Sequence, residues 1–383
     1  MKVLLRAPLL TLSGYGIHSR QIFKWLNEKN IDLTVECLNW GETPWLLNQN
    51  EENGLIGEIM KKSVAINPPY DLSIQVQLPD EWDPTLAAKN IGITAAVETD
   101  RCSPKWVEAC NKMDKVIVPS NFTKSVIKRS GIVMTQIAVI HEWYNEHLDE
   151  EIKIVEDERY KFDTDFNFLL IGQLTGQTPE TDRKNIENTL KWLIEEFENE
   201  KNTGIVIKTN LGKGSTVDLK HTKFTIKSII EKYRKGSFPK IHLIHGNMKN
   251  EEIAKLYNIN NVKCFVTATR GEGYGLPIVD AARSGIPIVA TNWSGHLDFV
   301  GENILKVDYQ LKDISEQKID NRIFFENFKW AEPKEESFKQ KIREVYENYN
   351  MYKETAEKNA IFVKNNFSKQ KIKKDYDKEI PIT

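Results

Sequence analysis

Two carboxylates stand close together in one glycine-rich stretch of the chain. The stretch "TRGEGYGLPIVD" runs from Thr269 to Asp280 and places Glu272 and Asp280 with seven residues between them. Three glycines lie in the same stretch, and because glycine has no side chain, this backbone is able to approach a ligand closely. The stretch therefore predicts a binding loop that carries an acid on each side.

The residues that flank the two acids indicate which ligand the loop would bind. The apolar run "CFVTAT" before the loop predicts a buried strand, Pro277 is typical of the first turn of a helix, and Gly285 is placed to end that helix. A helix N-terminus and glycine amides bind anions. Two carboxylates cannot hold a phosphate, but they hydrogen-bond to neutral hydroxyls. A sugar attached to a diphosphate supplies both groups, and we expect such a ligand here.

The elements that must position this loop follow an alternating pattern. Short apolar runs alternate with amphipathic segments from "KVLLRAP" to "QIAVIHEW", and the alternation restarts from "FNFLLIGQL" to "IPIVATN". Strands that alternate with helices of about a dozen residues indicate parallel sheets. We therefore expect an α/β protein with two Rossmann-like, doubly wound parallel-sheet domains that face a cleft. In such sheets ligands lie at the carboxyl ends of the strands.

Composition limits the class of protein. A chain of 383 residues is long enough for two domains. Its formal net charge of -2 at pH 7 gives no electrostatic attraction of the whole protein to nucleic acid or an anionic membrane. The 4 cysteines are scattered without a CxxC pair, which favours reduced thiols. No window approaches 18 apolar residues, and the N-terminus is not typical of a signal peptide. We expect a cytoplasmic protein without a transmembrane segment.

Glu272 and Asp280, with "GYGLP" between them, resemble the acid-seven-acid signature of glycosyltransferase family 4, whose second acid is usually Glu. The flanks "IHLIHGNMKNEEIAKLYNINNVKCFVTAT" and "IPIVATNWSGHLDFV" resemble those of the family, as does "AVETDRCSPKWVEACNKMDKVIVPSNFTKSVIKRSG" in the first half. The similarity covers about two-thirds of the chain, although "VIHEWYN" replaces a turn that the family often shows. The resemblance implies a GT-B fold and a retaining, metal-independent hexosyltransferase that uses a UDP- or GDP-linked sugar.

The resemblance also implies a division of the chain. Residues 1–155 would form an acceptor-side Rossmann-like domain and residues 156–355 the donor domain, with the boundary inside the charged segment 149–165. Residues 356–383 would form a helical tail that packs back on the N-terminal domain.

Members of the family clamp the donor diphosphate with a basic pair after the first strand of the second domain. Lys184 matches the second member of this pair, whereas Gln173 takes the place of the usual Arg. Arg183, beside Lys184, is expected to compensate. Glu272 would hold sugar hydroxyls, and Asp280 would hold the ribose. As an alternative, Arg183 and Lys184 are ordinary solvated charges of a first helical turn.

The resemblance and the loop positions complete the set of candidates. Glu98, after another strand, is expected to face the sugar or the acceptor and joins Glu272 and Lys184 as a catalytic candidate, although a helix-capping role stays open. The remaining donor-binding candidates are Gly14, Gly16, Gly273, Tyr274, Gly275 and Leu276. The first two lie in "LSGYGIHS" after the first strand, where an ordinary turn is the alternative.

Other functions stay open beside this one. No cofactor and no metal are expected, since the triplet "DTD" at 163–165 precedes its strand and "LGKGST" lacks the order of a P-loop. Leu276 takes the third glycine position of a dinucleotide fingerprint. A non-catalytic sugar-nucleotide or carbohydrate-binding module, or an epimerase on the GT-B scaffold, is the alternative. A glycan, a lipid, a protein or a modified nucleic acid would serve as acceptor, and nucleic acid enters only in that role.

Overall fold

The computed structural model describes residues 1–150, 158–176, 178–212, 214–301 and 304–382. They form two compact units. The first comprises Met1–Trp143, Asp320–Phe328 and Lys369–Thr383, and the second comprises Tyr144–Ile319 and Lys329–Ser368. The predicted boundary between residues 155 and 156 lies outside the described residues, as does Lys213 of "LGKGST". The second unit begins earlier, at Tyr144, because the side chains of Tyr144 and Leu148 pack in its core.

The strands and helices of the described chain are numbered here in sequence order. The strands are β1 (Lys2–Ala7), β2 (Asp32–Cys37), β3 (Tyr70–Val76), β4 (Ala87–Ile93), β5 (Lys115–Val118), β6 (Ile137–Val139), β7 (Phe166–Ile171), β8 (Thr203–Thr209), β9 (Lys240–His245), β10 (Val262–Thr267), β11 (Ile288–Thr291), β12 (Leu305–Val307), β13 (Tyr309–Asp313) and β14 (Lys329–Pro333). The helices are α1 (Gly14–Leu26), α2 (Leu55–Lys62), α3 (Pro104–Cys110), α4 (Asn121–Ser130), α5 (Ile186–Glu196), α6 (Thr216–Tyr233), α7 (Asn250–Tyr257), α8 (Leu276–Ser284), α9 (Leu297–Val300), α10 (Glu335–Glu347), α11 (Tyr349–Asn366) and α12 (Lys369–Glu379).

The first unit is built on a six-stranded parallel sheet in the order β2-β1-β3-β4-β5-β6. Strand β1 carries a continuous buried run at Val3, Leu4 and Leu5, as expected of a parallel sheet that is covered on both faces, whereas β3 alternates apolar residues with the buried polar Ser73 and Gln75. The last helix, α12, belongs to this unit: Ile372, Tyr376 and Ile380 are buried in the same hydrophobic core as the strands.

The second unit contains a six-stranded parallel sheet in the order β12-β11-β10-β7-β8-β9, together with the antiparallel hairpin β13-β14. Successive residues of one strand enter different cores: Leu169 packs in one hydrophobic cluster, while Phe168 and Leu170 pack in another. This alternation follows from the two-residue period of a strand and shows that helices cover both faces of the sheet.

The predicted α/β class with two doubly wound parallel sheets is confirmed. Helix α8 also has the predicted ends, since Pro277 lies in its first turn and Gly285 ends it in the left-handed conformation with φ 71. None of the helices in the described ranges combines the length and apolar character needed to cross a bilayer.

Two details of the fold differ from the prediction. The segment with Gly14 and Gly16, expected to be a loop, is the first turn of α1, because the Ser13 hydroxyl accepts a hydrogen bond from the Gly16 amide at 2.9 Å and caps the helix. The predicted tail 356–383 is divided between the units. Val363 of α11 packs in the core of the second unit, and only the chain from Lys369 onward belongs to the first.

Candidate functional site

An ion pair between Lys184 and Glu272 lies at the carboxyl edge of the second unit's sheet. Lys184 lies on the connection from β7 to α5, and Glu272 lies on the loop that leaves β10. Because β7 and β10 are parallel neighbours, these two connections meet at the same edge. The Nζ of Lys184 lies 2.6 Å and 2.8 Å from the two carboxylate oxygens of Glu272. The structure thus brings together two residues that the sequence proposed separately.

Glu272 is buried, with 7% of its surface exposed, and has further partners. Arg183 places a guanidinium nitrogen 3.4 Å from one carboxylate oxygen, and the Thr269 hydroxyl donates to the other at 2.9 Å. Burial would raise the pKa of Glu272, but the charges of Lys184 and Arg183 outweigh it and lower the pKa to about 2. Glu272 is therefore ionised at neutral pH, which suits a hydrogen-bond acceptor and not a general acid.

Arg270 holds the loop that carries Glu272. Its guanidinium donates two hydrogen bonds to the carboxylate of Glu332 in β14, at 2.6 Å and 2.8 Å. It also donates to the carbonyl oxygens of Pro179 and Asp182, at 2.6 Å and 2.7 Å. Buried at 3% exposure, this side chain ties the loop after β10 to the connection before α5. Sequence reasoning gave Arg270 no role, although it lies inside the stretch first singled out.

Asp182 positions Lys184 from the other side. Its carboxylate accepts hydrogen bonds from the backbone amides of Lys184 at 3.2 Å and Ile186 at 2.8 Å, so it satisfies amides at the start of α5. Asn185, between them, has φ 55, a left-handed conformation that asparagine tolerates better than most residues. The Asn185 side chain donates to the carbonyl of Ala268 at 3.0 Å, which fixes this turn against the end of β10.

The segment after β11 supports the loop from below. The Ser294 hydroxyl accepts from the amide of Glu272 at 2.9 Å, and the amide of Gly295 donates to the Glu272 carbonyl at 2.9 Å. A Cβ at Gly295 would lie 2.1 Å from the Gly273 carbonyl oxygen, so this close approach requires glycine. His296 is fully buried, and burial lowers its pKa. These residues lie in the stretch "NWSGH", which the sequence analysis included in the family resemblance, but only the structure shows that Ser294 and Gly295 hold the backbone of Glu272.

Asp280 has a different hydrogen-bond partner from the residues of the Lys184–Glu272 ion pair. In α8 its carboxylate accepts a hydrogen bond from the backbone amide of Asn145 at 2.8 Å. Burial raises the pKa of Asp280 to about 7, while this hydrogen bond opposes the shift. The predicted contact of Asp280 with a ribose stays a prediction.

The other candidates of the second unit differ in their surroundings. Gly275 has φ 106 and precedes α8, so it is a position that favours glycine. The ring of Tyr274 is buried and packs against Phe299 with ring centroids 5.1 Å apart, so this side chain stabilises the loop. Leu276 packs at the margin of the same core, and Gln173 is exposed in the connection after β7.

Three predicted residues belong to the first unit. A Cβ at Gly16 would lie 2.0 Å from the Thr11 carbonyl oxygen, whereas a Cβ at Gly14 would meet no atom within 4 Å. Glu98 is half-buried in the connection after β4, close enough to Tyr15 to contribute to its raised pKa, for which burial is the larger cause. Roles for Gly14, Gly16 and Glu98 in donor or acceptor binding stay predictions.

Acidic side chains are not clustered for metal binding within the part of the chain that the structure describes, where no group of three or more His, Cys, Asp or Glu could hold an ion. The triplet "DTD" directly precedes β7, at the amino end of that strand, and Asp163 pairs with Lys240. A second Asp-x-Asp triplet lies in α12, where Asp375 pairs with Lys371 and Asp377 pairs with Lys29.

The chain is similar to a protein-family model and to a viral relative. Residues 217–362 match a family model described as glycosyl transferases group 1. An uncharacterised protein of Sulfolobus islandicus rod-shaped virus 1 is 24% identical over 294 residues, which cover 74% of each chain.

Solved structures resemble the whole fold. A glycosyltransferase of Rickettsia africae superposes with a TM-score of 0.65 at 14% identity and covers 100% of this chain and 99% of its own. A variant of TarM from S. aureus, solved with fondaparinux, a GlcNAc-glycerol and UDP, superposes with a TM-score of 0.53 at 16% identity and covers 80% of this chain. This chain spans 54% of the length of TarM. Together with the two six-stranded parallel sheets, these neighbours establish the two-domain α/β fold called GT-B.

Proposed function

We propose that this protein is a retaining glycosyltransferase that moves a hexose-type sugar from a UDP- or GDP-linked donor to an acceptor hydroxyl, without a metal ion. The observation that carries the proposal is the cluster of Lys184, Arg183 and Glu272 at the carboxyl edge of the second sheet. It joins two cations to one ionised carboxylate at the edge where parallel sheets bind their ligands.

The charges of this cluster fit the charges of the reaction. Breaking the bond from the anomeric carbon to the phosphate oxygen leaves negative charge on the diphosphate and positive charge on the sugar ring. Lys184 and Arg183 would stabilise the leaving diphosphate, as fixed cations do where negative charge develops. Glu272, ionised at neutral pH, would accept hydrogen bonds from the sugar hydroxyls.

Retention of configuration is the outcome implied by the family resemblance. The acceptor oxygen would form its bond to the anomeric carbon on the face that the phosphate leaves, and the acceptor proton would pass to the leaving phosphate oxygen. The products are then a glycoside and a nucleoside diphosphate. In this scheme Glu272 orients the sugar and is not a nucleophile.

Donor binding is tested by thermal shift with a panel of UDP, GDP, ADP, the corresponding nucleotide sugars and the parent nucleosides. A ligand that binds only the folded protein raises the melting temperature, by a free energy that grows with its concentration over its Kd. UDP is included because TarM was solved with it. We expect one nucleotide diphosphate to raise the melting temperature and the matching nucleoside to do so much less. No shift with any member of the panel would contradict the proposal.

A non-catalytic sugar-nucleotide-binding module is the second candidate function. The observation that favours it is Gln173, an exposed neutral side chain where related transferases are expected to have a cation. Slow hydrolysis of a radiolabelled nucleotide sugar distinguishes the two, since an enzyme releases free sugar over time and a binding module does not. The acceptor, the metal independence and the cytoplasmic location stay predictions.

A further inference from the structure

Lys208 lies beside the Lys184–Glu272 pair on the neighbouring strand. It is the register partner of Ile171, and residues in register on adjacent strands project from the same face of the sheet. Ile171 lines a small cavity at the carboxyl edge, together with Lys184 and Glu272. The side chain of Lys208 therefore leaves the sheet next to a residue that lines this cavity.

Gly172 connects the backbones around the two lysines. Its amide donates a hydrogen bond to the carbonyl of Lys208 at 3.1 Å. A Cβ at Gly172 would lie 3.9 Å from the Cβ of Lys184, so the aliphatic stem of Lys184 adjoins the same glycine. Lys208 thus contacts Gly172 through its backbone carbonyl, and Lys184 lies beside Gly172 through its side-chain stem.

The two lysines differ in their electrostatic surroundings. Lys184 contacts the Glu272 carboxylate. Within the described ranges, no hydrogen bond or ion pair holds the ammonium of Lys208, although the residue is half-buried. Burial is the cause that lowers the pKa of Lys208, and no carboxylate among the residues that the structure describes opposes the shift. A cation removed from water without a partner is costly, and a bound anion would offset that cost.

We propose that Lys208 is a diphosphate-binding residue, which together with Lys184 holds the phosphates of the nucleotide donor. The inference rests on the proposed function, because it assigns a further residue to the same site. It also accounts for Gln173, which directly follows Gly172 and brings no charge. In this chain β8 then supplies a further cation beside Lys184 and Arg183, and Gln173 supplies none.

The test compares Lys208→Met with Lys208→Arg and with a matched control. Methionine keeps much of the stem and removes the charge, whereas arginine keeps the charge. The control is Lys227→Met in α6, where the lysine side chain is 74% exposed and pairs with Glu231. Isothermal titration calorimetry measures the Kd of each variant for UDP, UMP and uridine, and for the guanosine series if the wild type prefers it.

We expect Lys208→Met to weaken diphosphate binding about tenfold or more, the effect of losing one charge-assisted contact. Binding of the monophosphate should weaken less and binding of the nucleoside should be unchanged, because the lost partner is phosphate. Lys208→Arg keeps the charge and should recover part of the diphosphate affinity that Lys208→Met loses, whereas Lys227→Met should bind as the wild type does. Without ligand, Lys208→Met should melt at the wild-type temperature or above it, since it removes a half-buried charge that has no described partner.

The outcomes separate this inference from the proposed function. A wild type that binds none of the nucleotides overturns both. A wild type that binds UDP or GDP, with Lys208→Met as tight as Lys227→Met, overturns the role of Lys208 alone. If Lys208→Met weakens nucleoside and diphosphate binding to the same extent, Lys208 maintains the fold at the carboxyl edge of the sheet and does not contact phosphate. This result also overturns the inference. If Lys208→Met does not fold, Lys208→Gln is measured in its place.

Discussion

At the scale of single residues, Glu272 combines burial with a full negative charge. Two cations make this state stable, and the loop that carries the carboxylate is held independently by Arg270, Ser294 and Gly295. The charge of Glu272 is therefore separable from the structure around it. This separation makes the residue a good subject for a substitution that keeps its shape.

We predict that Glu272→Gln abolishes sugar transfer and leaves the fold intact. The amide fills the same volume, but it lacks the charge that would hold sugar hydroxyls against the developing positive charge of the ring. Loss of one such interaction typically lowers kcat about a hundredfold or more. Initial rates with the donor that the thermal-shift panel identifies provide the measurement, and a thermal melt provides the control for folding. Near-normal turnover by a folded Glu272→Gln variant would remove Glu272 from the reaction.

We predict that Lys184→Ala weakens binding of a nucleoside diphosphate much more than binding of the nucleoside, because the proposed partner of Lys184 is phosphate. The loss should be about tenfold or more for one charge-assisted contact. The substitution also removes one of the two cations that lower the pKa of Glu272, so this pKa should rise from about 2 toward its ordinary range. Calorimetric titration of both ligands tests the first effect. Equal weakening of both ligands would place Lys184 outside the phosphate site.

The chemistry-bearing residues of the site were accessible from sequence in part. Glu272 and Lys184 stood out through their motifs, but their ion pair depends on β7 and β10 being neighbours in the sheet. Arg270 was missed because an arginine in a loop has the appearance of a solvated charge. Its partner Glu332 is 62 positions away, and no local pattern relates the two.

At the scale of elements, the start of α1 shows how packing decides the use of glycine. Two glycines in the first turn oppose a helix by propensity, and the sequence accordingly predicted a loop. The Ser13 cap and the approach of Gly16 to the Thr11 carbonyl stabilise the helix instead. The strand pair β13-β14 was harder still to predict, because its sequence has no strong alternating pattern. Its position depends on the hydrogen bonds between the Glu332 carboxylate and the distant Arg270.

We predict different effects on stability for alanine at the two glycines of α1. At Gly16 a Cβ would lie 2.0 Å from the Thr11 carbonyl oxygen, so Gly16→Ala forces the backbone apart and should destabilise the protein by about 1–3 kcal/mol. Gly14→Ala is the matched control, because its Cβ would meet no atom within 4 Å. There alanine should be neutral or should stabilise the helix by up to about 1 kcal/mol. Urea denaturation measures both, and equal effects would contradict the packing at Gly16.

At the scale of the whole molecule, the first unit draws on distant parts of the chain. Helix α12 packs on α1, where the Tyr376 hydroxyl lies 3.0 Å from the Nε2 of His18. The Nδ1 of His18 lies 3.8 Å from a carboxylate oxygen of Glu142. Burial raises the pKa of Glu142 to about 8 and lowers the pKa of His18 to about 3. Both groups are therefore largely neutral in the folded protein near pH 7, since desolvation of two buried charges outweighs their attraction.

We predict that Glu142 makes the protein less stable as pH rises from about 6.5 to about 8. The folded pKa of Glu142 lies above its unfolded value, so the folded state binds more protons than the unfolded state in this window, and stability falls as pH rises. His18 acts in the opposite direction only below its ordinary pKa of 6.5. Asp280, with a pKa of about 7, adds to the same fall from the second unit.

The Glu142→Gln variant tests this dependence. It should flatten the fall in unfolding free energy between pH 6.5 and 8 by about 1–2 kcal/mol, while the contribution of Asp280 remains. Glu58→Gln is the control, since this glutamate is exposed and pairs only with the exposed Lys61 among its described contacts. Urea denaturation at both pH values gives the free energies. A wild type and a Glu142→Gln variant with parallel pH profiles would show that Glu142 does not titrate in this window.

We predict that transferase activity survives EDTA. The charge that a divalent ion would bring to the diphosphate is supplied in our proposal by Lys184 and Arg183, each charge-assisted contact contributing about 1.5–3 kcal/mol. The acidic triplet "DTD" lies at the amino end of β7, the opposite edge from the Lys184–Glu272 pair, and Asp163 there pairs with Lys240. Initial rates with and without excess chelator, followed by addition of magnesium or manganese, provide the test. Activity that disappears with chelator and returns with metal would contradict the proposed role of Lys184 and Arg183. A divalent metal ion, and not these two side chains, would then neutralise the diphosphate.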